Sequence, residues 1–289
     1  MKDNVLHIQG VSVEQLATAC QTPLYIYDEN KITEKLSRFH ELFQSDTFKT
    51  EVLYASKAFS CKAMVELVAQ YGLSLDVVSG GELYTAKQAG FPMERVYFHG
   101  NNKSYDEIMM ALDYGVGTII VDNAMECDML VKAVKRSGRS IKTMLRVNPG
   151  VEAHTHKYIV TAHLDSKFGI SITKKKEIAA MIHTLTSVAE ITFLGYHSHI
   201  GSQIFDKQAY VAEIEKLMQF TKEMQTEYDI HISALNLGGG FAALYTNADH
   251  PIPLQDVCHT ILDTCKKENA KQQLNIEKIM IEPGRSIVA

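Results

Sequence analysis

From residue 51 onward one rhythm recurs eight times: a short β-branched run, a polar or glycine-rich turn, then an amphipathic stretch. The runs are EVLYAS, LSLDVVS, RVYFHG, GTIIVDN, IKTMLRVNPG, EITFLGYHSH, SALNLGGGF and EKIMIEPGR. The stretches between them have helix signals. CKAMVELVAQYG puts Met64, Leu67 and Val68 on one face and stops at Gly72, and GELYTAKQAG stops at Gly90. SYDEIMMALDYG opens on Ser104 with Glu107 three residues later, a capping box, and closes on Gly115. The segment from Lys207 to Tyr228 is long and periodic. Near-continuous apolar strands alternating with helices predict a parallel sheet covered by helices, and eight such units predict an α/β fold of the (β/α)8 TIM-barrel type.

The chain has 289 residues, and a barrel of about 250 residues fills most of that length. The formal charge of −5 comes with no basic stripe. Lys174–Lys176 read as the solvated start of a helix, so no nucleic-acid partner is expected. The five cysteines, Cys20, Cys61, Cys127, Cys258 and Cys265, form no C-x-x-C pair and predict neither a disulfide framework nor a zinc knuckle. A reducing, cytoplasmic setting fits them. Charges interrupt the N-terminal segment, which excludes a signal peptide, and no apolar run approaches the roughly 20 residues that span a bilayer.

Two features lie outside the eight units. TPLYIYD (22–28) reads as a strand, and LHIQG as another. The sequence ends at Ala289, just after the eighth strand. The expected organisation is therefore residues 1–30 as an N-terminal strand segment of a β domain largely absent from this chain, and residues 31–289 as the barrel without its final helix.

Active sites of such barrels lie at the C-terminal ends of the strands. Those ends hold Lys57, Asp76 with Ser79-Gly80-Gly81-Glu82, His99-Gly100-Asn101-Asn102, Arg146, His197-Ser198-His199, Gly238-Gly239-Gly240 and Glu282-Pro283-Gly284-Arg285. Lys57 is either a surface lysine or a Schiff-base lysine in a partly desolvated site. The three glycines make a tight turn or a nest of N–H groups for a phosphate; no G-K-[ST] follows, and G-x-G-x-x-G is absent. Glu282 ends an apolar run and suits either a protonated pyridine nitrogen or an ion pair with Arg285 or Arg146. His197 and His199 are expected to face opposite sides of their strand or to occupy different layers of the mouth. His154 and His156 fall in a loop, solvated or near substrate. No metal-ligand spacing is visible, so no metal is expected.

YASKAFS, LDVVSGGEL, FHGNNKS, LRVNPGVEAHTH, DSKFGI, HSHIGSQIFD, LNLGGGF and EPGRSIVA together resemble the diaminopimelate decarboxylases, a family in the alanine-racemase-like, fold-type III class of pyridoxal-phosphate enzymes. YASK and GGGF fit several decarboxylases of that class; HIGSQIFD, VNPGVEAHTH and DSKFGI are more specific. The resemblance runs from near Cys20 to the end. It implies pyridoxal 5'-phosphate as cofactor, with Lys57 as Schiff-base residue and His199 stacked on the ring. Ser202, Gly238, Gly239, Gly240, Pro283, Gly284 and Arg285 would surround the phosphate, and Glu282 would meet the pyridine nitrogen. Asp76 and Arg146 would orient Lys57 and the ring, while Arg285 would also meet a substrate carboxylate. The implied reaction is decarboxylation of meso-2,6-diaminopimelate to L-lysine, the last step of lysine biosynthesis, by a homodimer with sites at its interface. The family's later motifs, a cysteine–glutamate pair from the partner subunit and a tyrosine near the phosphate, do not occur here. Cys258 and Cys265 lie on a predicted helix and do not replace them, so the resemblance implies cofactor binding more directly than turnover by these 289 residues alone. Related alternatives are a decarboxylase of ornithine, arginine or carboxynorspermidine, or a non-catalytic pyridoxal-phosphate barrel.

Overall fold

The computed structural model describes residues 5–151 and 168–289; the readings for His154 and His156 lie outside them. All eight expected strands form: β1 (Lys49–Ala55), β2 (Ser74–Val77), β3 (Val96–Phe98), β4 (Thr118–Val121), β5 (Ile141–Asn148), β6 (Ile191–His197), β7 (Ala234–Asn236) and β8 (Lys278–Ile281). Every neighbouring pair is parallel, and β8 pairs with β1, which closes the cylinder. A two-residue strand, Ile170–Ser171, extends β5 at its edge.

The helices are α1 (Val13–Cys20), α2 (Glu29–Leu42), α3 (Lys62–Gln70), α4 (Gly80–Gln88), α5 (Tyr105–Tyr114), α6 (Ala124–Ser137), α7 (Lys175–Thr186), α8 (Gln208–Tyr228), α9 (Leu254–Lys271) and α10 (Arg285–Val288). Both halves of the capping box at Ser104 and Glu107 are made, and Gly115 ends α5 in the left-handed conformation. None of these helices is long and apolar enough to cross a membrane.

One expectation changes. TPLYIYD forms no strand; its Tyr25 is 90% exposed, and Tyr27 stacks on Phe59 with ring centroids 3.8 Å apart. Alternation makes a strand only when a neighbouring edge is free to pair, and the closed barrel offers none. In LHIQG, His7–Ile8 does pair, but only with Val11–Ser12 in a minimal hairpin. The next segment is α1, whose Ser12–Gln15 capping box was present in the sequence and went unread. After β8 the chain forms one helical turn, α10. The single turn α10 packs on α2, and α2 also packs on α9 and β1, burying Ile32, Leu36 and Phe39. Phe39 meets Phe241 edge-on at 5.2 Å. An upstream helix thus covers the seam, because an apolar helical stripe is satisfied by whichever element reaches it.

The interior of the cylinder is layered. Leu53, Tyr97, Ile120, Met144, Ala234 and Met280 form an apolar plug separate from the larger core between sheet and helices. Below it, the Tyr97 hydroxyl donates to Glu51 Oε2 (2.8 Å) and Lys278 Nζ donates to the Tyr97 hydroxyl (3.0 Å). Glu51 also bonds Ser74 and Lys278. Side chains alternate along a strand, so positions two residues beyond the plug return to the inner face. Those positions are Ala55, His99, Asp122, Arg146, Asn236 and Glu282, and Asp76 and His197 join them at the same level. The barrel therefore ends upward in a ring of polar side chains.

Candidate active site

Lys57 sits in a single 3-10 turn, Ser56–Ala58, at the end of β1. Glu82 fixes that turn: its Oε2 accepts from the Ser56 hydroxyl (2.6 Å) and from the Val78 amide (2.8 Å), tying the ends of β1 and β2 together. The lysine is exposed rather than partly buried. It opens onto two cavities and lines both. The larger, about 670 Å³, is walled by Asp76, His99, Arg146, His197, His199 and Glu282. The smaller, about 450 Å³, is walled by Ser202, Gly239, Gly240, Tyr245, Gly284 and Arg285, and again by His199 and Glu282. His199 and Glu282 thus stand with Lys57 at the junction.

Glu282 is the hub of a buried network. Asn236 Nδ2 donates to its Oε1 (2.7 Å), and His197 Nε2 lies 3.2 Å from its Oε2. His99 Nε2 is 3.0 Å from Oε1, outside good hydrogen-bond geometry, and 3.7 Å from Asp76 Oδ1. Neither arginine considered as an ion-pair partner is used. Arg285 donates to Ser202 Oγ (3.0 Å) and the Tyr245 hydroxyl (2.8 Å), whereas Arg146 Nε is 4.0 Å from Asp122 Oδ1 and lies over the Phe168 ring.

The electrostatics follow from this packing. Burial works against ionisation of Glu282, but the two histidines facing it hold its carboxyl well below the ordinary value. Asp76 is pushed up to about 6, chiefly by burial, with Glu282 adding to the push and His99 and Lys57 opposing it. Burial lowers His197 to about 3 despite the pull of Glu282. Desolvation, followed by the positive charge of Lys57, lowers His199 to about 4.

The second of the two expectations for the histidines is the one realised. Both line the larger cavity, His197 from the last position of β6 and His199 from the loop that follows it. His197 is fully buried at Glu282; His199 is half-buried one level higher, where its Nδ1 accepts from the Gly239 amide (3.2 Å). The triple-glycine turn also differs from a free nest. The Gly238 amide donates to Asn236 Oδ1 (3.0 Å), so two of the three N–H groups already have protein partners. Glycine is needed there for close approach: a Cβ on Gly239 would lie 2.3 Å from the Glu282 carbonyl, and Gly238 and Gly240 have φ of +64° and +96°. Gly238 and Pro283 line neither cavity; the Pro283 carbonyl instead accepts from Ala55 N (3.0 Å) and locks β8 to β1.

Sequence reasoning placed His99 and Glu82 at the strand ends without a role and left Asn236 out of the site. His99 and Asn236 were findable, standing two positions beyond the inward residues Tyr97 and Ala234. Glu82 acts through a contact between strand ends that no local pattern reveals. His99, His197 and Glu282 also place three donor atoms within 4.8 Å of one another, so the fold supplies the third donor that the His197–His199 spacing lacks. The His197 and His99 Nε2 atoms face the Glu282 carboxylate at 3.2 Å and 3.0 Å.

A closed parallel barrel whose mouth gathers a lysine, a buried ionised acid and an arginine beside a glycine wall defines a cofactor-binding (β/α)8 barrel. The family described as pyridoxal-dependent decarboxylase, pyridoxal binding domain, matches residues 29–289. The diaminopimelate decarboxylase of Bacillus subtilis (strain 168) is 47% identical over 283 residues, 98% of this chain and 64% of that protein. The crystal structure of diaminopimelate decarboxylase from M. jannaschii superposes with a TM-score of 0.91 at 32% identity, covering 100% of this chain and 67% of that one; its co-complex with L-lysine gives 0.87. The chain belongs to the pyridoxal-dependent decarboxylase family, as its pyridoxal-binding domain. It spans about 64% of the length of the curated relatives it matches.

The cofactor of that family is pyridoxal phosphate, and the donor set fits it. Arg285, Ser202 and the glycine wall suit a phosphate. Glu282 suits a cationic ring nitrogen, and Lys57, which lines both cavities, supplies an amine for the aldehyde.

Proposed function

We propose that the protein containing this barrel decarboxylates meso-2,6-diaminopimelate to L-lysine. The observation that carries the reading is Lys57 at the junction of two cavities, together with His199 and the buried Glu282, with Arg285 in the smaller one. The relatives named above support the substrate. When bound, the cofactor supplies an electron-withdrawing ring that takes up the electron pair released as carbon dioxide leaves.

The chain's own residues do the rest. Lys57 would hold the cofactor through its amine. Glu282, ionised in its buried network, keeps a proton on the ring nitrogen. His199, held by Gly239, covers one ring face. Arg285, Ser202, Gly240 and Gly284 grip the phosphate, with Gly238, Gly239 and Pro283 as the frame behind them. Arg285 also serves a substrate carboxylate. Asp76 and Arg146 set the orientation of Lys57 and the ring from the larger cavity. The whole protein acts as a cytoplasmic homodimer, with residues 1–30 contributing to a β domain beside the barrel.

Borohydride reduction of the protein with pyridoxal phosphate, followed by peptide mapping, tests the site. Label on Lys57 is expected, and label on another lysine overturns the assignment. Lysine formation from meso-diaminopimelate but not from ornithine or arginine tests the substrate.

A further inference from the structure

The segment His197-Ser198-His199 carries two imidazoles, and the function above employs only His199. His197 is fully buried at the end of β6. Its Nε2 is 3.2 Å from Glu282 Oε2, and its Nδ1 is buried with no partner among the described residues. Its ring packs edge-on against His99, centroids 4.8 Å apart. The titratable and charged groups around it are Glu282 from β8, His99 from beyond β3 and Arg146 from β5, with Asp76 behind His99.

We propose that His197 is a positioning residue, a neutral imidazole whose Nε2–H pins one oxygen of Glu282 and so aims the carboxylate at the ring nitrogen of the cofactor. This rests on the reading of Glu282 given above. A carboxylate held at one oxygen can still swing. Asn236 holds Oε1 and His197 holds Oε2, so the two donors together fix its plane. Neutrality matters, because an imidazolium there would cancel the charge that a pyridinium needs. Burial lowers His197 to about 3, leaving it uncharged at physiological pH. The tautomer follows from accounting. With the proton on Nε2, the partnerless Nδ1 is an unfilled acceptor; with the proton on Nδ1 it would be a buried orphan N–H, the costlier defect.

Ring-nitrogen NMR of the full 15N-histidine-labelled chain without cofactor tests this directly. His197 is expected to show a protonated Nε2 and a bare Nδ1, unchanged from about pH 5 to about pH 8. Titration within that interval, or a proton on Nδ1, overturns the proposal. The variants H197L and H197Q provide a second measure through the cofactor dissociation constant and the absorption band of the Lys57 adduct. Leucine is expected to weaken binding roughly tenfold or more and to move the band, while glutamine, which keeps a donor, restores most of both. Equal effects of the two variants overturn the proposal. Borohydride label on another lysine would sink the functional reading while leaving the NMR result standing, so the two failures are distinguishable.

Discussion

Asn236 and Glu282 are joined by a buried hydrogen bond, Nδ2 to Oε1 at 2.7 Å, between the adjacent strands β7 and β8. The same asparagine accepts the Gly238 amide through Oδ1 at 3.0 Å. One side chain thus couples the acid facing the ring nitrogen to the glycine turn facing the phosphate. N236A leaves a buried N–H without an acceptor and is expected to cost about 1–3 kcal/mol in urea unfolding. N236D keeps that acceptor but sets a second carboxylate against Glu282, so its deficit should shrink as pH falls and one acid protonates.

Space at the glycines gives a sharper contrast. In G239A the new methyl would meet backbone, the Glu282 carbonyl at 2.3 Å, and no rotamer change relieves that. Loss of cofactor binding with a lowered melting temperature is expected. In G81A the nearest atom is Ser79 Oγ at 3.8 Å, in the first turn of α4. That change should be neutral or stabilising by up to about 1 kcal/mol, as for glycine to alanine in a helix. Thermal melts of the two variants check the pair.

Glu213 on α8 is completely buried and accepts from the Ser198 hydroxyl; its other oxygen has no partner among the described residues. Burial pushes its carboxyl up to about 8 from an ordinary 4.5. The folded state therefore holds a proton that the unfolded chain releases between those values. Stability from this group is complete below the lower value and is lost as pH rises through the upper one. E213Q keeps an acceptor for Ser198 and has no proton to lose. Urea unfolding at pH 6 and pH 8.5 should show a decline in the parent chain and a smaller one in E213Q.

Lys103 and Glu126 form a buried ion pair at 2.6 Å. The ammonium also reaches the carbonyls of Gly100 and Ile120, and Glu126 accepts the Asp122 amide. Removing one partner leaves an uncompensated buried charge, so K103M or E126L should each cost about 3–5 kcal/mol. The double variant K103M/E126L should cost clearly less than the two single effects added together. A double-mutant cycle in denaturant measures this.

The strands and most helices were legible because each is a local pattern: β-branched runs, a capping box at Ser104, a left-handed stop at Gly115. Lys57, His199, Glu282 and Arg285 were legible because each breaks the pattern at a strand end. His99 and Asn236 were half-legible, since reading them needed the inner face of each strand, which only register supplies. Glu82 was not legible, because its partners Ser56 and Val78 belong to turns at the ends of two different strands. TPLYIYD forms no strand within this chain because alternation also needs a partner edge, which is not a local property.

Periodicity in the sequence alone determined the number of strands, their parallel sense and the rim on which the reactive residues gather, since these follow from side-chain spacing along a chain. Only the tertiary structure decided that α2 covers the seam beside α9, that Glu282 pairs with Asn236 and His197 rather than with an arginine, and that Lys57 stands between two cavities. Those outcomes depend on which faces meet across the closed cylinder. Hydrogen bonding and burial act through space, between residues as far apart in the chain as His197 and Glu282.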